Sequence, residues 1–206
     1  PGLNPSYYGF EEKDMDRKIF LSGYLGFDFA TIRQIIAKLK NIYSGTFASE
    51  YKHIQSSEEY LWLKDRIEDR TEMNLTLKGK RTILERLISS EIFEKFLDKK
   101  YRGSKRFGLD GSESTIPALE QILKRSSDHG IQDFSFACAH RGRLNILANI
   151  IKKPQVQIFS EFIHGGENAL SNQGSGDVKY HLGASSNRSF DGNIIHVSMA
   201  ANPSHL

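Results

Sequence analysis

The chain has 206 residues, enough for one substantial core and at most two small domains. Hydrophobic residues make up 38% and charged residues 26%, which excludes a mostly disordered chain, while 28 basic against 25 acidic side chains leave a net charge of +3, too mild to argue for nucleic acid or an anionic membrane. The single cysteine, Cys138, excludes an internal disulfide and a four-thiolate zinc site and points to a reducing compartment, and no run approaches the roughly 18 apolar residues of a membrane span.

The start, Pro1-Gly2-Leu3-Asn4, has neither an initiator Met nor a signal-peptide layout, so the expectation is a piece of a longer polypeptide. Charge is unevenly spread: residues 1–133 carry 22 basic and 21 acidic side chains, residues 134–206 only 6 and 4. The first stretch reads as helical. Ile32, Ile35, Ile36, Leu39 and Tyr43 recur at helical spacing, with Asp28 available as a cap and Gly45 as a stop. Ser56 followed by Glu59 is a capping-box pattern before Leu61, Trp62 and Ile67. Thr76 can start a third helix carrying Ile83, Leu84, Leu87 and Ile88, and Ser89 or Ser90 a fourth carrying Ile92, Phe93, Phe96 and Leu97, stopped by Gly103. Ser114 opens a further helix with Pro117 in its first turn, closed by Gly130.

The texture then changes. Ile131 to Ala139 reads as a strand buried on both faces, Leu144 to Ile151 as a helix, and Pro154 as the start of another through Ile158, Phe159 and Phe162. Residues 164–176 are rich in Gly, Asn and Ser, a loop by composition, and Ile194 to Ala200 reads as a second buried strand after the turn Asp191-Gly192. The expected fold class is α/β: an α-helical domain over residues 1–130, then an incomplete parallel-sheet domain over 131–206. Two strands alone leave an apolar edge, so the sheet is expected to be unfinished at its C-terminus.

Three stretches could carry chemistry. In Ala139-His140-Arg141-Gly142-Arg143 a His and two Arg stand where a strand meets a helix, the place where open α/β sheets bind ligands. Arg141 suits phosphate or carboxylate, and His140 can hold or move a proton near neutral pH. The competing reading is two arginines capping neighbouring carbonyls beside a satisfied core histidine. Asp177-Val178-Lys179-Tyr180-His181 gathers polar groups after the Gly-rich loop, either a closing segment or a plain surface loop, and lacks the ending of a P-loop. Asn202-Pro203-Ser204-His205-Leu206 follows the second strand; it has no nucleophile elbow, so a hydrolase dyad is not expected. His140, His181 and His205 are 41 and 24 residues apart, and no metal site made by protein ligands alone is expected. Lys99-Lys100-Tyr101-Arg102 and Lys105-Arg106-Phe107 mix bases and aromatics as a nucleic-acid surface does, but a helix C-terminus favours the same cations.

Taken in order, Gly45-Thr46-Phe47-Ala48-Ser49-Glu50-Tyr51-Lys52-His53-Ile54, Lys105-Arg106-Phe107-Gly108-Leu109-Asp110-Gly111, Ala139-His140-Arg141-Gly142-Arg143-Leu144-Asn145, Asp177-Val178-Lys179-Tyr180-His181-Leu182-Gly183 and Asn202-Pro203-Ser204-His205-Leu206 resemble the E1 component of the 2-oxoglutarate dehydrogenase complex. The resemblance covers the chain from about residue 20 and implies the N-terminal part of a thiamine diphosphate-dependent oxidoreductase of the tricarboxylic acid cycle. Such enzymes decarboxylate 2-oxoglutarate and pass the succinyl unit to a lipoyl group on the E2 dihydrolipoyl succinyltransferase. At the matching positions, His140 and His181 would contact the substrate carboxylates and serve in proton transfer, and Arg141, Ser204 and Leu206 would help hold thiamine diphosphate. The second domain, residues 131–206, would be the first part of the thiamine diphosphate-binding domain.

The resemblance also implies Mg²⁺, held by a Gly-Asp-Gly…Asn stretch that this sequence does not contain, so no metal ligand is assigned here. The glutamate that activates the cofactor is likewise expected elsewhere in the parent, and the chain by itself is expected to be inactive. The intact parent would be a homodimer in a bacterial cytoplasm or mitochondrial matrix, with no nucleic-acid or membrane partner. The alternatives are an E1 acting on 2-oxoadipate, a 2-oxoglutarate decarboxylase, or a helical binding module that uses Lys99 to Arg106 on RNA.

Overall fold

Helix starts are set by side-chain oxygens that accept the first free backbone N–H groups. In the computed structural model, which describes residues 2–69, 75–163 and 183–201, Thr31 rather than Asp28 caps α1 (Ile32–Tyr43). The Thr31 hydroxyl accepts from the Gln34 amide, and the Gln34 side chain accepts in return from the Thr31 amide, a reciprocal box that Asp28 stands too far upstream to make. Ser56 caps α2 (Ser57–Glu68) as expected, accepting from Glu59 N at 3.3 Å.

Chain contacts divide the protein into two compact units, residues 1–74 and 75–206. The expected boundary at residue 130 thus falls inside the second unit. The first unit is not wholly helical. Besides α1 and α2 it holds a short antiparallel pair, β1 (Lys18–Phe20) and β2 (Phe29–Thr31), in register Ile19 to Ala30. Three residues per strand give no periodicity to read, which is why helical spacing alone described this region poorly.

Within this unit Glu68, 6% exposed, accepts from Tyr24 Oη and from Tyr43 Oη at 2.6 Å, and Tyr43 Oη lies 2.8 Å from Tyr51 Oη. Burial first, and then the neighbouring carboxylate, push the Tyr43 hydroxyl well above its ordinary pKa.

The second unit is built on α3 (Leu77–Lys100), one helix of 24 residues where two were expected. Neither Gly nor Pro interrupts it at Ser89-Ser90. Ser90 is fully buried, with its hydroxyl accepting from Asn145 Nδ2 at 2.8 Å, so this serine is a packing residue and not a cap. α4 (Thr115–Asp128) carries Pro117 in its first turn and ends in a left-handed Gly130. The amides of Gly130 and Ile131 bond back to Ser127 O and Ser126 O, satisfying the last carbonyls.

β3 (Asp133–Phe136), α5 (Arg143–Asn149), α6 (Gln155–Ile163), β4 (Ala184–Phe190) and β5 (Asn193–Met199) complete the unit. The sheet order is β3-β5-β4, with β3 parallel to β5 and β4 antiparallel, so it is mixed rather than wholly parallel. Its strands are half-buried: Phe134 and Phe136 of β3 and Ile195, Val197 and Met199 of β5 pack inward, while Ser135 is exposed and meets Ser198 across the ladder at 2.7 Å. Both-face burial, expected from runs with few charges, is therefore corrected: the outer face, with Ser135 of β3 and Ile194, His196 and Ser198 of β5, is exposed or half-buried. β4 was not expected, since its inward side alternates Ala184, Ser186, Arg188 and Phe190, too polar to announce a strand.

Leu97, Ile116, Leu123, Leu147, Ile150, Ile158, Ile195 and Val197 are at most 1% exposed and join α3, α4, α5, α6 and β5 in one core, each stabilising by about 2 kcal/mol on burial. Glu120 of α4 ties this layer at its edge, accepting from Arg86 at 3.0 Å and Arg188 at 2.7 Å on one oxygen. None of the described helices is long and apolar enough to cross a membrane.

The Glu68 network carries a testable consequence. Glu68→Ala removes the carboxylate that accepts from the Tyr24 and Tyr43 hydroxyls, Tyr43 keeping Tyr51 as a partner, and chemical denaturation of the chain should show a loss of about 1–2 kcal/mol. A loss under about 0.5 kcal/mol, the range of an ordinary surface substitution, would show that the network does not hold this unit.

Candidate functional site

Parallel pairing of β3 with β5 brings the carboxyl ends of both strands to one edge, and the pairing continues past β5 through Ala200 N to Phe136 O at 3.0 Å. Beyond β3 the chain runs extended to Ala139, turns through His140, Arg141 and Gly142, and enters α5. The turn closes through Arg143 N to His140 O at 3.1 Å, with Gly142 at φ 72° as the residue before the helix.

Arg143 is completely buried. Its guanidinium donates to Cys138 O at 2.9 Å and to Ala200 O at 2.7 Å, bridging the two strand ends. Of the two sequence readings for these arginines, carbonyl capping therefore describes Arg143. It does not describe His140, which is exposed and not a core residue. The His140 ring rests on Phe107 with centroids 4.7 Å apart and planes at 41°. Arg141 is exposed too, and among the described residues its guanidinium makes one hydrogen bond, Nη1 to Gly108 O at 3.3 Å, leaving most of its fork free to bind.

The loop 107–109 thus meets the strand-end segment residue by residue. Phe107 holds a left-handed backbone at φ 47°, uncommon for an aromatic, and its carbonyl accepts from Gly142 N at 2.7 Å. Leu109 packs so close that a Cβ on Gly142 would lie 2.3 Å from Leu109 Cδ2. The loop is anchored from α3, where Glu94 Oε1 accepts from Leu109 N at 2.8 Å and from Asn145 Nδ2 at 2.8 Å.

Arg141 also forms part of the wall of a cleft of about 520 Å³ between α3 and this loop. Glu91, Glu94, Asp98, Asp110 and Glu113 line the cleft, and two of its cations are engaged already, Lys95 with Glu91 at 2.5 Å and Arg106 with Asp98. Such a cleft repels a dianion. Outside the cleft, the exposed strand-end edge carries His140 beside Arg141 in the chain, with no carboxylate bonded to either among the described residues.

Arg106 is spent on local structure, donating to Tyr101 O at 2.9 Å and Ser104 O at 3.2 Å as well as to Asp98, so it closes the end of α3. Among the described residues no group of three or more His, Cys, Asp or Glu side chains is placed to hold a metal ion.

No protein-family model matches the chain. Curated relatives do. The chain is 50% identical over 205 residues to the 2-oxoglutarate dehydrogenase E1 component of Brucella anthropi, and 49% identical over the same length to those of Brucella canis and Brucella suis. Over almost its whole length the chain is thus similar to 2-oxoglutarate dehydrogenase E1 components. The match takes in 99% of this chain and 20% of the length of each of these E1 components.

Of the residues expected to act in an E1 component, His140 and Arg141 are consecutive and both exposed on the strand-end segment. His181, Ser204 and Leu206 lie outside the described residues, as does the Gly-rich stretch from 164 to 176. Sequence reasoning missed Glu94, and it quoted Asn145 in the Ala139 to Asn145 block without assigning it the bond to Glu94 that the structure shows. The available signal was a Glu and a Ser on the inward face of an otherwise apolar helix stripe, which calls for a buried polar partner.

Gly142→Ala tests the seat directly. The added Cβ meets Leu109 and the backbone must stay left-handed, so denaturation of the chain should show a loss of about 2–4 kcal/mol. Unchanged stability would contradict the close approach of the loop to residue 142.

Proposed function

We propose that this chain is the N-terminal part of a 2-oxoglutarate dehydrogenase E1 component and contributes one wall of its active site. The reading is carried by one observation, identity at half of the positions over almost the whole chain with relatives bearing that name. The geometry supports it through the chemistry of the donors: a free guanidinium fork and an exposed imidazole stand side by side where two parallel strands end, a set that fits an anionic group.

In this reading thiamine diphosphate, when bound, supplies the electron sink that decarboxylation of a 2-oxoacid requires. Arg141 donates to an anionic oxygen of the cofactor through the part of its fork not directed at Gly108 O. His140 binds a carboxylate of 2-oxoglutarate and, having one ring face on Phe107, keeps its nitrogens at the ring edge available to hold or move a proton. His181, Ser204 and Leu206 would complete the wall with a second imidazole and two contacts to the cofactor. Mg²⁺ would be held by other parts of the parent, in line with the absence, among the described residues, of any cluster of three His, Cys, Asp or Glu side chains placed to hold a metal ion.

Residues 131–206 would then belong to the first part of the thiamine diphosphate-binding domain, with α3 and α4 packed into the same core. The parent would work as a homodimer with an E2 succinyltransferase as partner, in a bacterial cytoplasm or a mitochondrial matrix.

In the full-length parent, His140→Ala should lower kcat/KM for 2-oxoglutarate decarboxylation by about 10²-fold or more. Wild-type turnover in that variant would refute the role. The 206-residue chain alone, given thiamine diphosphate, Mg²⁺ and 2-oxoglutarate, should release no carbon dioxide, and measurable turnover would show that the site is complete within it.

A further inference from the structure

His140 and Arg141 both lean on the loop 107–109, and neither has any other described support on its exposed side. Phe107 carries the His140 ring, Gly108 O receives Arg141 Nη1, and Phe107 O together with Leu109 fixes Gly142. A loop with a left-handed phenylalanine does not hold this shape through local preference. Glu94 holds it from α3, alongside the bond from Gly142 N to Phe107 O and the buried Leu109 side chain.

One Glu94 oxygen accepts from Leu109 N and from Asn145 Nδ2, both at 2.8 Å. Asn145 is itself 1% exposed and is fixed by Ser90 Oγ at 2.8 Å and by Asn149 Nδ2 at 2.7 Å. The other Glu94 oxygen faces Gly108 so closely that a Cβ there would lie 2.6 Å from it. A single carboxylate therefore joins α3, α5 and the loop on which the two functional side chains rest.

We propose that Glu94 is a positioning residue for Arg141 and His140, acting through the 107–109 loop. The inference rests on the active-site reading given above and extends it to a residue that touches neither substrate nor cofactor. Glu94 sets where the guanidinium fork and the imidazole stand, because the Gly108 carbonyl and the Phe107 ring move with the amide that Glu94 holds.

A double-mutant cycle in the full-length apo parent tests this, with calorimetric titration of thiamine diphosphate in the presence of Mg²⁺ and each variant's folded state checked by its unfolding midpoint. Arg141→Ala should weaken binding by about tenfold. Glu94→Ala should weaken it by about fivefold, and the double variant should bind within about twofold of Arg141→Ala alone, because a positioning residue has nothing left to act on once the fork is gone. Glu94→Gln, which keeps an acceptor oxygen for Leu109 N, should bind within about twofold of wild type.

Additive losses in the double variant, or wild-type binding by Glu94→Ala, would overturn the proposal while leaving the active-site reading standing. Wild-type binding by Arg141→Ala would instead overturn the cofactor role of Arg141, and the positioning role with it. If Glu94→Ala does not accumulate, Glu94→Asp takes its place in the cycle, since the shorter carboxylate is drawn back from Leu109 N and must give the same non-additive pattern.

Discussion

The buried guanidinium of Arg143 is the interaction on which the rest of the site depends. It donates to Cys138 O past the end of β3 and to Ala200 O past the end of β5, two carbonyls that lie beyond the regular ladder and so lack strand partners of their own. Parallel strands have no hairpin to fix their relative ends, and here the two are separated by more than fifty residues of chain. A planar fork with fixed donor directions does what a flexible ammonium could not, holding both ends at once. Because Arg143 also begins α5, the same side chain ties the strand ends to the helix that carries Leu144 and Leu147 into the core.

Two neighbouring arginines thereby take opposite tasks. Arg143 spends its donors inside the protein on the two strand ends, while Arg141, two positions earlier and exposed, makes a single hydrogen bond among the described residues, to Gly108 O. The division follows from Gly142. Its left-handed backbone reverses the chain between the two side chains, and its lack of a Cβ admits Leu109. The cleft beside Arg141 sharpens the contrast, because Glu91, Glu94, Asp98, Asp110 and Glu113 make its α3 side unfavourable to a dianion.

Much of this was legible in the residues and some was not, for identifiable reasons. Helices α1, α2 and α4 lie close to where their start signals and apolar spacing put them, and the strand–turn–helix at residues 133–149 was read in that order from the sequence. The break expected at Ser89-Ser90 failed because a serine in a helix can serve a tertiary hydrogen bond, and only the partner, Asn145, reveals which use applies. β4 escaped notice because its inward positions include Ser186 and Arg188, whose polar atoms bond to Ile151 O and Ile150 O and so fit a half-buried face that apolar alternation does not describe. His140 and Arg141 could be singled out by chemistry at a strand end. That Arg143 is internal and Arg141 external could not, since the distinction rests on a contact 57 residues away in the chain.

The central claim is that the strand ends and the 107–109 loop form one rigid support beneath His140 and Arg141. Native-state amide hydrogen exchange, resolved by residue in the full-length parent, tests it most directly. The account predicts that the amides of Leu109, Gly142 and Ala200 exchange slowly and together, and that Arg143→Leu releases all three while the amides of the β4–β5 hairpin stay protected. Fast exchange of Leu109 and Gly142 in the wild-type protein, or release of Ala200 alone in the variant, would contradict it.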